Sequence, residues 1–260
     1  MTIKLHSEIK GEGEKILILH GLFGSLDNLR RIAIELSEYF QVHSLDLRNH
    51  GKSGHAKEMN YTVMSEDVIG YMNNNNITQA NVIGHSMGGK VAMTLALNFK
   101  DRIKKIIVAD ISPVSYSAHH TNIFKGLFAV DFDAVHSRKE VDTVLSNSIP
   151  ELGIRQFLIK NLDRDDFGGL KWKMNLPNIY ENYSNILKGL ESEVKVFDKP
   201  VLFIAGGDSD YIKPTYKALT LALFPLANVK VIPGTTHWLH AEKPRLFINI
   251  CLRFLQEQAV

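Results

Sequence analysis

The chain has 260 residues, 45% of them hydrophobic, with 30 Lys and Arg against 28 Asp and Glu and a formal net charge of +2. Such a balance excludes a nucleic-acid-binding protein, which concentrates a large basic excess on one face. One cysteine, Cys251, excludes an intramolecular disulfide and a cysteine metal cluster.

The N-terminal segment reads as two strands joined at Gly11-Glu12-Gly13-Glu14. Lys15 to Leu19 is a short apolar strand, ended by the glycine-bounded loop His20-Gly21-Leu22-Phe23-Gly24. From Asp27 to Phe40 the apolar positions Leu29, Ile32, Ala33, Leu36 and Phe40 keep helical spacing. Val42 to Leu47 is the next strand. Tyr61 to Met72 is the next helix, with Thr62 as its N-cap and Ser65 as the competitor; the run Asn73 to Asn76 supplies its C-cap and turn. Strand Asn81 to Gly84, helix Met87 to Phe99 and strand Ile103 to Ala109 follow, the last rich in β-branched residues. Alternation of strand and helix with short connections calls for right-handed crossovers and a mainly parallel sheet.

The alternation breaks after Pro113, and up to Lys195 the segments are helix-like or irregular with no clear strand. It resumes with strand Val201 to Ala205, helix Pro214 to Phe224, strand Val229 to Ile232 and helix Arg245 to Gln258. The expected organisation is one α/β core, 1–112 and 196–260, with a helical cap at 113–195 inserted between two late strands. That insertion opens onto the carboxyl edge of the sheet, where ligands bind in such folds. Cys251, in the apolar stretch Leu246 to Leu255, reads as a buried structural thiol. The N-terminus carries no apolar run of signal-peptide type, and no stretch is long and apolar enough to span a membrane. A cytoplasmic protein is the expectation, with its oligomeric state left open.

The strongest chemical signal is Gly84-His85-Ser86-Met87-Gly88, a G-x-S-x-G pattern with a strand before it and a helix after. A serine on so tight a turn needs small neighbours two residues either side, so that its hydroxyl stands clear of the sheet. The bland alternative is a serine capping the helix. A nucleophilic serine needs a base and a group to orient that base, and in this fold the chain order is serine, acid, histidine. His237, directly after the last strand, is the favoured base over His240. His85 packs beneath the turn, and His20 and His50 brace loops. For the acid, Asp110 ends one strand while Asp208 and Asp210 end the next; local reasoning slightly favours the later pair. Backbone amides of Met87 and Leu22, with Phe23 as the lesser choice, would hold an oxyanion.

These pieces resemble the α/β hydrolases, and more narrowly the YbfF-type bacterial esterases, related to a group of mitochondrial abhydrolase-domain proteins. The resemblance is carried by His20 to Asn28, Asp46 to Ser53, Gly84 to Lys90, Asp110 to Val114, Gln156 to Leu158 and His237 to Pro244. It implies Ser86 as nucleophile, His237 as base and Asp110 as acid. It assigns Asp46 to Ser53 to a structural turn. It implies a small-molecule acyl ester or acyl-CoA thioester as substrate, with no metal or cofactor. Phe23, Phe124, Phe128 and Trp172 are the residues expected to bind that substrate. From 113 to 195 ten Lys or Arg face eleven Asp or Glu, so charge gives no separate argument for CoA phosphates. The rival readings are another reaction on the same triad (C–C bond hydrolysis, a lyase step or perhydrolysis) and a catalytically silent binding protein.

Overall fold

The computed structural model describes residues 2–190 and 195–257. Its elements in chain order begin with β1 (Ser7–Lys10), β2 (Lys15–Leu19), α1 (Arg30–Leu36), β3 (Gln41–Leu45), α2 (Tyr61–Asn74), β4 (Ala80–His85), α3 (Met87–Asn98) and β5 (Ile103–Ala109). The inserted segment holds α4 (Thr121–Phe128), α5 (Arg138–Ser146), α6 (Leu152–Ile159), β6 (Leu162–Arg164), β7 (Leu170–Trp172), α7 (Leu176–Glu181) and α8 (Tyr183–Leu187). The core then closes with β8 (Val201–Gly206), α9 (Lys217–Leu223), β9 (Ala227–Ile232), α10 (Leu239–Glu242) and α11 (Pro244–Gln256). Positions 191–194 of the inserted segment, and Gln258 of the expected last helix, lie outside the described residues.

Seven strands form one sheet in the order β1-β3-β2-β4-β5-β8-β9, parallel except where β1 runs antiparallel to β3. The strands read as continuous apolar runs because both faces are covered. On β2, Leu17 and Leu19 face one core while Ile16 and Ile18 face the other. On β5, Ile106 and Val108 join the first core, and Ile107 and Ala109 the second. The first core packs against α2, α3 and the inserted segment; the second packs against α1 and α11.

Several local expectations are corrected. The helix expected from Asp27 to Phe40 is a 3-10 turn at Leu26–Leu29 followed by the shorter α1. The N-cap of α2 is Asn60, whose side chain accepts the Val63 amide at 3.0 Å. Thr62 and Ser65 lie inside the helix, where the Ser65 hydroxyl bonds back to the Thr62 carbonyl. An Asn outranks Thr as a cap, and Tyr61 already carries helical geometry. The inserted segment also contains the β6–β7 hairpin, too short for period-two alternation to register in the sequence. Cys251 is fully buried, and burial raises its thiol pKa.

Candidate active site

Ser86 sits between β4 and α3 with φ 52° and ψ −118°. A non-glycine residue there is strained, and the surroundings must hold it. They do so by close approach. A Cβ on Gly84 would lie 2.2 Å from the Gly88 carbonyl oxygen, and one on Gly88 would lie 2.3 Å from that of Leu19. The Ser86 amide donates to the Ala109 carbonyl at 2.9 Å, fixing the turn to β5. The side chain is left half-buried.

His237 follows β9 on the loop that leads to α10. Its Nδ1–H donates to Asp110 Oδ2 at 2.8 Å. Asp110 ends β5 at φ 51° and is completely buried. Its carboxylate also accepts the Gly206 amide at 2.9 Å on Oδ1 and the Ser209 hydroxyl on Oδ2. Three donors thus replace the water the group has lost. Asp208 and Asp210, which local reasoning preferred, are exposed, and Asp210 pairs with Lys213. The Asp110 side chain is instead turned inward, against the His237 ring and the Gly206 amide at the end of β8, as the resemblance implied.

His85 is buried, and its Nε2–H donates to the His237 backbone carbonyl at 2.9 Å. Burial, with the neighbouring His240 and His237, pushes its pKa well down, so it stays neutral. His240 is buried against the His85 ring at 4.3 Å, with its own pKa lowered to about 3 by burial. It therefore packs behind the site. Tyr211, which the sequence did not mark, stacks on the His237 ring at 4.0 Å. Its hydroxyl is hydrogen-bonded to the His119 ring.

The loop His20 to Gly24 is fixed from beneath. His20 Nε2 accepts the Leu47 amide at 2.9 Å, which leaves Nδ1–H to donate to the Gly21 carbonyl at 2.8 Å. His50 Nδ1–H donates to the Arg48 carbonyl, and Nε2 accepts the Phe23 amide at 3.2 Å. Burial lowers the two pKa values to about 4 and about 3, so both rings hold these bonds as neutral tautomers. The Asp46 carboxylate accepts the Leu26 and Lys52 amides, so the Asp46-to-Ser53 turn supports the loop. With the Phe23 amide engaged, the Leu22 amide has no hydrogen-bond partner among the described residues. Met87 opens α3, where the first amides lack intrahelical acceptors.

Two tight lobes meet at Ser86. The first is lined by Leu22, Phe23, His85, His120, Ile123, Ile154, Phe157, Leu158, His237 and Trp238, and the second by Leu22, Tyr61, Met87, Lys90, Tyr116, His120, Tyr183 and Tyr211 among others. Their volumes are about 40 and 30 Å³. Of the residues expected to bind substrate, Phe23 lines the first lobe, and Phe124 is buried edge-on against the Phe23 ring at 5.0 Å. Phe128 and Trp172 are not brought to Ser86. Phe128 is 49% exposed and meets Tyr180, while Trp172 packs edge-on against Phe132. Helical and aromatic patterning marks apolar residues without telling which face of a cap helix they take. Among the described residues no group of three His, Cys, Asp or Glu side chains is placed to hold a metal ion. No helix among them is long and apolar enough to cross a membrane.

A mainly parallel sheet with a strained serine turn at its carboxyl edge and an inserted helical segment above it is the architecture of the α/β hydrolases. A family model for the alpha/beta hydrolase fold matches residues 15–141. Esterase YbfF of Escherichia coli is 38% identical over 93% of this chain and 93% of its own length. The sn-1-specific diacylglycerol lipase ABHD11 of Danio rerio is 36% identical over 95% of this chain and 80% of its own. A solved structure of a marine microorganism esterase superposes with TM-score 0.95 at 42% identity, covering 97% of this chain and all of that one. The chain belongs to the α/β-hydrolase family, and it is a carboxylic ester hydrolase.

Proposed function

We propose that the protein hydrolyses small-molecule acyl esters, and acyl-CoA thioesters with them, through Ser86, His237 and Asp110 and an acyl-enzyme intermediate. The observation that carries this reading is the hydrogen bond from His237 Nδ1 to the buried Asp110 carboxylate, beside a cavity that Ser86 and His237 both line. With Nδ1 donating to Asp110, the neutral ring presents Nε2 as the base. Ser86 Oγ attacks the acyl carbon while Nε2 takes its proton, and the amides of Leu22 and Met87 receive the oxyanion. The C–O or C–S bond then breaks, and the alcohol or thiol leaves with the proton from His237. Water, deprotonated by His237, attacks the acyl-enzyme; the acid leaves, and the proton returns to Ser86. The two lobes at Ser86 offer space for the acyl chain and for the part of the leaving group next to the scissile bond. Their size supports short groups, against roughly 300–1,000 Å³ for a typical drug-sized ligand site.

The test is turnover of a graded series of p-nitrophenyl acyl esters beside acyl-CoA thioesters and a diacylglycerol, by the native protein and by Ser86→Ala. The expected result is turnover best with short acyl esters, lost by about 10⁴-fold or more in the variant. Equal rates for the two proteins would overturn the serine mechanism. Turnover of esters alone would remove the thioester part of the proposal.

A further inference from the structure

Lys90 lies on α3, one turn after Ser86, and its amide donates to the Ser86 carbonyl at 3.1 Å. Its side chain is only 1% exposed, a rare state for a lysine unless something offsets the lost hydration. No carboxylate among the described residues pairs with it, and burial lowers its pKa to about 7. Its partners are neutral. Nζ donates to the carbonyls of Val114 at 2.8 Å and Lys188 at 2.5 Å. It also lies 4.9 Å from the Tyr116 ring centre and 5.3 Å from that of Tyr61, where aromatic faces favour a cation.

Those two carbonyls belong to the segments by which the chain leaves the core after β5 and returns toward β8. The segments lie side by side. The Tyr116 amide donates to the Leu187 carbonyl at 2.9 Å, and the Leu190 amide to the Pro113 carbonyl at 2.9 Å. The Gly189 amide reaches the Ser115 hydroxyl at 2.7 Å. Lys90 thus grips both hinges of the inserted segment at once, from the helix that carries Ser86. It also lines the second lobe, together with residues of that segment, Tyr183, Ile186 and Leu187 among them. A methionine would fill the same volume and grip neither hinge.

We propose that Lys90 is a specificity-determining positioning residue: it clasps both hinges of the cap to the nucleophile helix, holds the cap low over Ser86, and so restricts the ester hydrolase to small substrates. The proposal rests on the ester-hydrolase reading for its kinetic half only. The hinge half is independent of any substrate.

The test compares native protein, Lys90→Met and Lys90→Arg, with Lys90→Gln in place of the methionine variant should that one not fold. Hydrogen exchange is read at the Tyr116, Gly189 and Leu190 amides, and kcat/KM is measured for p-nitrophenyl acetate and p-nitrophenyl octanoate. In Lys90→Met the hinge amides are expected to exchange about tenfold faster or more, with β4 and β5 unchanged. The acetate-to-octanoate ratio of kcat/KM is expected to fall by about fivefold or more, and Lys90→Arg to restore most of both. Unchanged hinge exchange would overturn the clasp. Faster exchange with both esters slowed in proportion would overturn the role in specificity. A native protein inert toward both esters would sink the ester reading and leave the exchange result to decide the clasp.

Discussion

The two sides of Ser86 are built by different means. Below it, the sheet edge and α3 are locked by backbone contact: Gly84 against Gly88, Gly88 against Leu19, and strand ladders on either side. Above it, the inserted segment shares the apolar core but meets the core backbone through scattered hydrogen bonds, most of them from a side chain to a main-chain group. Asn161 Nδ2 donates to the Phe23 carbonyl, Asn182 Oδ1 accepts the Met59 amide, and the Tyr61 hydroxyl donates to the Ile186 carbonyl. Each such bond contributes only about 0.5–1.5 kcal/mol, whereas a misplaced core backbone has no cheap alternative. The Ser86 turn is therefore held by backbone contact, whereas the segment above it is held to the turn's surroundings by individual side chains. Parts of a fold with lower opening free energy are where lids are found.

The largest effect should come from below Ser86. Asp110→Asn is expected to lower kcat by about 10⁴-fold while leaving the fold intact, since the amide favours the wrong His237 tautomer. Asp210→Asn, on an exposed side chain, should change kcat less than about twofold. Equal effects of the two substitutions in a steady-state assay would move the acid away from Asp110.

Gly88→Ala should cost about 3 kcal/mol or more in urea unfolding, because its Cβ would meet two backbone oxygens, of Leu19 and His20. A midpoint within experimental error of the native one would show that the turn is softer than its contacts indicate. The same side contributes to the acid response, alongside other histidines whose pKa burial lowers, such as His43 and His120. His20 and His50 have folded pKa values of about 4 and about 3, below the ordinary 6.5. Their contribution is fully present above pH 6.5 and is lost as pH falls toward those values, because the unfolded chain takes up their protons first. For His20 alone this amounts to about 3 kcal/mol. Urea titrations between pH 7 and 4.5 should show stability falling with uptake of about two protons or more on unfolding. A flat profile would remove the two rings from the acid response.

The smallest effects should come from the cap. Asn161→Ala is expected to raise KM for p-nitrophenyl esters by about threefold to tenfold at nearly constant kcat, with a global stability loss of about 1 kcal/mol. Phe128→Ala, on a half-exposed ring, should leave both within about twofold of native. A kcat loss in either variant matching that of Asp110→Asn would erase the distinction between the two sides.

Much of the fold was legible in the sequence. Alternating strand and helix patterns placed the parallel sheet, and the gap in that alternation marked the insertion. The glycines around Ser86 were readable because a tight turn leaves no room for side chains at those positions. His237 was marked because a base in this fold is expected to follow the last strand. The sequence alone thus determined the fold class and the positions of Ser86 and His237. Their hydrogen-bonding and packing partners were decided by tertiary structure. Asp110, Asp208 and Asp210 all end strands, and local pattern left them open; the folded chain buries Asp110 against the His237 ring, as the resemblance implied, and leaves the other two exposed. Tyr211 and Lys90 meet His237 and the cap hinges across long stretches of chain, with no local pattern to announce them. Phe124 and Phe128 sit one helical turn apart on α4, yet one is buried and the other half-exposed. Periodicity tells that a helix has an apolar face; which neighbour that face meets depends on how the cap is seated on the core, and that geometry exists only once the chain has folded.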